Sequence, residues 1–341
     1  MKTFNLNLIS KYRSELMGFS ILWIWFLHMS CKFPFPISTI QSIGATGVDI
    51  FFFVSAIGLY YSYSKSEDTF QFYKRRFFRI IPTYLIIAIP YRIYDIISEE
   101  GYNGISAFIG SLIKKIFLIE FWTESSASLW YIPSILICYL LYPVLYKIFD
   151  LKRNKILRIF SFAILSALSV GFIIFLTVKD FPRPTDRWFF RIPTFLLGCL
   201  LAPYVKKGCR IKSSNILWIF SFIIIFGIFT FLNIKTEYLY YGNIIWVSLF
   251  NSLFAIPLLV LIPCFFEKFK VQKLSGLLKF FGKYTLELYM LNEAALGFAR
   301  NQTGNAVLTD IISIAVTAAA LLVIILIKNK TNFLVRPKST E

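Results

Sequence analysis

Long apolar runs recur along the whole chain, separated by short clusters of Lys, Arg, Pro and Gly. Each run approaches the ~20 residues that a helix needs to cross a ~30 Å hydrocarbon core. The pattern predicts spans at 15–31, 43–63, 81–97, 129–149, 157–178, 189–205, 214–232, 244–266, 280–298 and 306–327. Helices are expected because an open sheet would leave its backbone polar groups unpaired in lipid. The expected fold is therefore all-α, a polytopic membrane protein with about ten transmembrane helices. Residues 104–122 (GISAFIGSLIKKIFLIEFW) break the pattern, since Lys114 and Lys115 interrupt an otherwise apolar stretch. They read as an interfacial amphipathic or re-entrant helix on the outer side. There is no solenoid repeat, no low-complexity linker and no stretch long enough for a soluble appendage. A single transmembrane domain over 1–341 is the simplest expectation.

Composition agrees with this reading. Hydrophobic residues make up 57% of the 341 and charged residues only 16%, against roughly 25% charged in a soluble domain. The net charge of +18 would suggest nucleic acid in a soluble chain. In a chain this apolar, Lys and Arg first report topology. With the N-terminus inside, every segment between spans on the cytoplasmic side is basic, as at Lys74–Arg79, Lys152–Lys155, Lys206–Arg210 and Lys268–Lys273. An odd number of spans would break that alternation, so both termini are expected in the cytoplasm. The start of the chain has no small-residue cleavage site, so the first run is expected to be a retained span. The five cysteines are scattered without CxxC or metal-ligand spacing, and no metal is expected.

Ionisable residues inside spans are costly there and mark candidate function. They are His28, Asp49, Arg191, Glu287 and, near a helix end, Glu293. His28, the only histidine, falls in the outer half of the first span and can exchange a proton near neutral pH. Its bland reading is a packing histidine satisfied by a neighbouring helix. Asp49 opens the second span. It can orient the His28 imidazole, or it can serve a helix N-terminus, where the dipole favours an anion. The cluster FYKRRFFRIIP places Lys74, Arg75, Arg76 and Arg79 before the third span. Topology alone accounts for their charge, but not for the preference for Arg or for Arg75 and Arg79 sharing a helical face. Guanidinium forks suit phosphate oxygens, so a cytoplasmic phosphate-bearing carrier is a candidate ligand. Arg191 is expected either to snorkel to the interface or to pair with a carboxylate such as Glu287.

Taken in order, these residues resemble the acyltransferase 3 family of integral-membrane acyltransferases. His28 ends the first span, and Gly47-Val48-Asp49-Ile50-Phe51-Phe52-Phe53-Val54-Ser55 is similar to that family's GVDxFFxxSG. Tyr73 to Pro82 resembles its basic motif. Leu129-Trp130-Tyr131 with Tyr139 and Pro143, Phe195 to Gly198, and Gly282-Lys283-Tyr284-Thr285 with Leu288-Tyr289 resemble later positions. Three positions depart from the family pattern. Met17 stands where an Arg is usual, with Arg13 one turn earlier. Ala56 follows Ser55, and the glycine comes only at Gly58. Asn292 stands where many members have His.

The resemblance implies transfer of an acyl group, usually acetyl, from cytoplasmic acyl-coenzyme A. The acceptor would be a hydroxyl of a cell-envelope or exported polysaccharide or glycolipid. It implies catalysis by His28 with Asp49, and donor binding by Arg13, Lys74, Arg75, Arg76 and Arg79. Membrane lipids are expected partners, nucleic acid is not, and a homodimer remains open. A bacterial plasma membrane is the expected location. The chain is expected to lack the extracellular hydrolase-like domain of some members, and it carries no GxSxG elbow. Fifteen residues at 1.5 Å each separate Arg13 from His28 by about 22 Å, a distance suited to a long thin pantetheine arm. His28 would act as general base, or form an acyl-histidine. The competing classes are a transporter or flippase of a lipid-linked saccharide, which predicts paired halves that the sequence does not display, and a purely structural membrane partner.

Overall fold

A computed structural model describes residues 3–100, 104–124, 129–178, 187–212 and 240–331, with isolated positions between 214 and 225. The described elements are nearly all helical. They begin with α1 (Asn7–Lys11), α2 (Arg13–His28), α3 (Ile37–Ser42), α4 (Thr46–Tyr63) and α5 (Thr69–Asp95). Next come α6 (Ile105–Ile116), α7 (Glu120–Thr123), α8 (Tyr131–Ile148), α9 (Lys155–Val178) and α10 (Ile192–Lys206). The chain continues through α11 (Tyr240–Phe269), α12 (Gln272–Lys283), α13 (Thr285–Gln302) and α14 (Ala306–Thr331). Two short strands, Thr3–Asn5 and Arg210–Lys212, pair antiparallel and pin the start of the chain beside the end of α10.

Among the described residues, seven helices are long and apolar enough to cross a bilayer. They correspond to the expected spans at 43–63, 81–97, 129–149, 157–178, 189–205, 244–266 and 306–327. The expected span at 214–232 lies largely outside the described residues. The remaining two are present as helices but are less suited to lipid. The first, α2, has only 16 residues. The ninth, α13, has 18 but carries Glu287, Asn292, Glu293 and Arg300. Both pack against protein instead. The chain is a helical, multi-pass membrane protein whose two least lipid-like helices carry His28, Arg13 and Glu287 among the candidate residues.

At the centre is α4, buried continuously from Thr46 to Leu59. A helix apolar on all sides is stable only when neighbours enclose it, and α2 and α10 are among the helices that do so. Gly47 makes the α2 contact, because a Cβ there would lie 2.7 Å from the Ser20 carbonyl oxygen. The basic cluster lies on the same helix as the third span, in keeping with the helical face expected for Arg75 and Arg79. Asp68 accepts the Gln71 N–H at 3.0 Å and caps a 27-residue helix, so 69–80 is helical and the cluster has defined faces.

Residues 272–279, expected as a cytoplasmic connection, and 280–283, expected to open the ninth span, together form the amphipathic helix α12. It runs antiparallel to α2 in close contact. A Cβ on Gly18 would enter the Leu278 backbone, and one on Gly282 would enter the Ser14 backbone. The buried Glu15 of α2 accepts the Ser275 hydroxyl at 2.7 Å and faces Lys279 at 3.5 Å. Its other face exposes Leu274, Leu277 and Phe280.

The helix α6 spans twelve residues, about 18 Å at 1.5 Å per residue, too short to cross a bilayer. It turns Ile105, Ile109 and Ile113 outward as a stripe. Its C-terminal carbonyls at Lys115 and Ile116 accept the Tyr84 hydroxyl at 3.2 and 3.0 Å. Tyr84 lies about 16 Å back along α5 from Asp95, so the segment dips along α5 as a re-entrant piece would. Two buried ion pairs hold it there. Lys115 meets Asp95 at 3.0 Å, and Arg92 contacts Glu120 directly. Removing one partner of such a pair strands the other charge, at a cost of about 3–5 kcal/mol. Arg92→Ala is accordingly expected to lower the melting temperature in detergent and to expose residues 105–123 to proteolysis. An unchanged melting temperature would show that the pair contributes nothing to holding the segment.

Candidate active site

Three cavities lie along the helices that carry the predicted residues. The first, about 460 Å³, is strongly cationic. Arg75, Arg76 and Arg79 enter it from α5, Lys283 from the end of α12, and Lys328 from α14. Helix spacing explains the convergence of the arginines, because positions 75, 76 and 79 lie on adjoining strips of one face. Arg75 also reaches the Ser62 carbonyl at 3.4 Å, and the Arg76 guanidinium lies over the Tyr139 and Phe72 rings at 5.6 and 5.4 Å. Lys74 is exposed and is not part of the lining. One carboxylate stands among these cations. Glu287 contacts Lys328 directly, so the alternative pairing of Glu287 with Arg191 does not form.

The second cavity, about 50 Å³, is a narrow continuation. It shares Arg79, Thr285 and Leu286 with the first and adds Arg13, Met17, Ser55, Tyr131 and Tyr289. Arg13 and Met17 thus line the same cavity, with the Arg13 guanidinium one turn earlier on α2. Gly58 makes room for it, since a Cβ at Gly58 would lie 2.5 Å from the Arg13 Nη2. The late glycine and the arginine at position 13 are therefore in direct contact. Gly58→Ala is expected to push the Arg13 guanidinium aside without disturbing the helix. On the donor-binding role that the family resemblance implies for Arg13, the result should be a several-fold higher KM for the acyl donor at unchanged membrane insertion. An unchanged donor KM would show that Arg13 can shift at no cost.

The third cavity, about 160 Å³, lies at the other end of α2. His28 is exposed within it, facing Asn292 of α13 and Asp310 and Ser313 of α14. The imidazole is therefore neither sealed in lipid nor locked in a dry helix contact. Arg187 and Arg300, both exposed, are the charged side chains whose fields reach it. The second and third cavities share no lining residue. They approach within one turn of α13, where Tyr289 belongs to one and Asn292 to the other. At this septum the Tyr131 N–H donates to the Tyr289 hydroxyl at 3.4 Å.

Asp49 is not brought to His28. Its carboxylate accepts the Ser252 hydroxyl at 2.7 Å and the Thr194 hydroxyl at 3.2 Å, joining α4 to α11 and α10. It also lies in the first turn of α4 and within the field of Arg191. The physical reason is helix phase: the first turn of α4 faces α10 and α11, whereas His28 turns toward α13 and α14. Arg191 is buried and stacked 5.3 Å over the Trp130 ring. Sequence reasoning missed Lys283, Lys328, Asp310 and Ser313 as lining residues. Lys283 was legible in Gly282-Lys283-Tyr284-Thr285 but read only as topology. The others stand in an apolar last span without a local motif.

The fold and these cavities define a multi-pass membrane protein of the acyltransferase class. The chain belongs to the family described as the acyltransferase domain, whose profile matches residues 16–328. It is similar to the O-acetyltransferase OatA of Staphylococcus aureus strains NCTC 8325 / PS 47 and COL, at 26% identity over 321 residues. That alignment covers 84% of this chain and 50% of the relative, so the chain spans about half the length of the curated relatives it matches. No solved structure matches the chain.

Proposed function

We propose that this protein transfers an acyl group, acetyl in the first instance, from acyl-coenzyme A to a hydroxyl of an envelope or exported polysaccharide or glycolipid. One observation carries the donor side of this reading. Cations from α5, α12 and α14, distant in sequence, converge on one cavity that narrows past Arg79 toward Arg13. Simple positive-inside topology would scatter these residues over the cytoplasmic loops, whereas phosphate recognition needs them together. The name of the relatives, O-acetyltransferase, supports acetyl as the group and oxygen as the acceptor atom. The reading places both termini in the cytoplasm of a bacterial plasma membrane, with ten spans in all. Arg75, Arg76, Arg79, Lys283 and Lys328 hold the donor phosphates at the cytoplasmic mouth, with Arg13 farther in.

His28 acts as general base. Its imidazole takes the proton from the acceptor hydroxyl, and that oxygen attacks the thioester carbonyl. The tetrahedral intermediate expels the coenzyme A thiolate, which recovers a proton from the imidazolium. An acyl-histidine formed on His28 and then attacked by the hydroxyl is the two-step variant of the same chemistry. Either route requires the septum at Tyr131 and Tyr289 to open, so that the thioester end of the donor reaches the third cavity.

The test is to incubate membranes containing the protein with acetyl-coenzyme A labelled in the acetyl group, with and without candidate glycans. Label is expected in glycan only when both are present. Saccharide movement across the membrane without label transfer would instead identify a flippase.

A further inference from the structure

We infer that Asp310 is a positioning residue that holds His28 in its cavity, through the turn that follows it. The inference rests on the proposal that His28 is the base. Because α2 ends at His28, the imidazole sits on the last residue of a helix, where chains fray unless they are tied down. The chain beyond it is tied by one carboxylate. The Ser30 N–H donates to Asp310 Oδ1 at 2.7 Å, and the Cys31 N–H donates to Asp310 Oδ2 at 2.9 Å. From the other side, the Gln41 amide donates to the Cys31 and Phe26 carbonyls at 2.9 and 3.1 Å. The turn is thus fixed twice, and the ionic fixture belongs to α14.

Asp310 is only 5% exposed, yet it lines the same cavity as His28, Asn292 and Ser313. One carboxylate therefore sets the distance between the end of α2 and the helix forming the opposite wall. General-base catalysis needs the ring within hydrogen-bond reach of the acceptor hydroxyl, and a misplacement of 1 Å costs about 100-fold in rate. A base at the tip of a short helix in an open cavity needs such a fixture more than one buried mid-helix. Ordinary capping of α14 does not explain the arrangement, because both carboxylate oxygens point to another helix's exit turn.

The solitary histidine makes the test direct. Diethyl pyrocarbonate acylates imidazole, so in this chain the modification of histidine reports His28 alone. Asp310→Ala is expected to lower kcat by about 10- to 100-fold with donor KM within about twofold, and to change the rate of His28 modification several-fold. Asp310→Asn keeps one acceptor oxygen, so it should recover part of both, and it serves as the readout if the alanine variant fails to accumulate. On a His28→Ala background, Asp310→Asn should not change the residual rate further. A membrane-inserted Asp310→Asn protein with wild-type kcat and wild-type His28 modification would overturn the inference. If His28→Ala itself retained full activity, the base assignment would fail regardless of Asp310.

Discussion

His28→Ala is expected to reduce acyl transfer by about 10²–10⁴-fold, the range that a positioned general base supplies, with insertion and folding intact. Its side chain is exposed in a cavity, and no described hydrogen bond of the fold depends on it. Truncation therefore removes chemistry with little packing. The measurement is the initial rate of label transfer at saturating donor and acceptor, alongside gel filtration of the detergent-solubilised protein. Donor affinity should be preserved, because the cationic cavity lies at the opposite end of α2. A packing histidine would give the reverse pattern, with lower stability and near-normal turnover of whatever protein folds. Full activity in a well-folded variant would remove His28 from the mechanism.

The second large effect is expected at Arg75 and Arg79. Hydrogen bonds to a charged group contribute about 1.5–3 kcal/mol each, so each alanine substitution should weaken donor binding by roughly 10- to 100-fold. Arg79 should be the more damaging because it lines both the wide and the narrow cavity. Lys74→Ala is the internal control. It removes a neighbouring positive charge from the same helix but from outside the cavity, and should leave donor affinity nearly unchanged. Titration calorimetry with coenzyme A checks this without needing the acceptor. Equal effects at Lys74 and Arg79 would mean that the cluster acts only as diffuse positive charge.

Much of this architecture was readable from periodicity and charge because lipid imposes simple rules. Apolar runs of bilayer length located the helices that are long and apolar enough to span, and the two lysines in 104–122 marked the segment that dips along α5. What the sequence concealed depends on helix phase and on contacts between distant segments. The pattern GVDIFFFVSA is apolar on every side, so nothing in it says which neighbour Asp49 faces. The structure turns it to Thr194 and Ser252, not to His28. The amphipathic α12 was hidden because its apolar positions are separated by lysines that read as loop charges. Lys328 and Asp310 lie far along the chain from the residues they join, and only the pairing of α13 with α14 brings them in. Arg13 and Gly58 show the converse. Two apparent departures from the family pattern meet in space, where the guanidinium rests on the glycine.

The Tyr131–Tyr289 septum has a bioenergetic consequence. A continuous aqueous duct from the arginine-lined mouth to the histidine recess would let protons and small ions run down the electrochemical gradient. On the proposed donor path, the turn of α13 between the two cavities would keep the resting protein insulating. Passage of a slender, uncharged thioester tail could then occur without short-circuiting the cell's stored voltage.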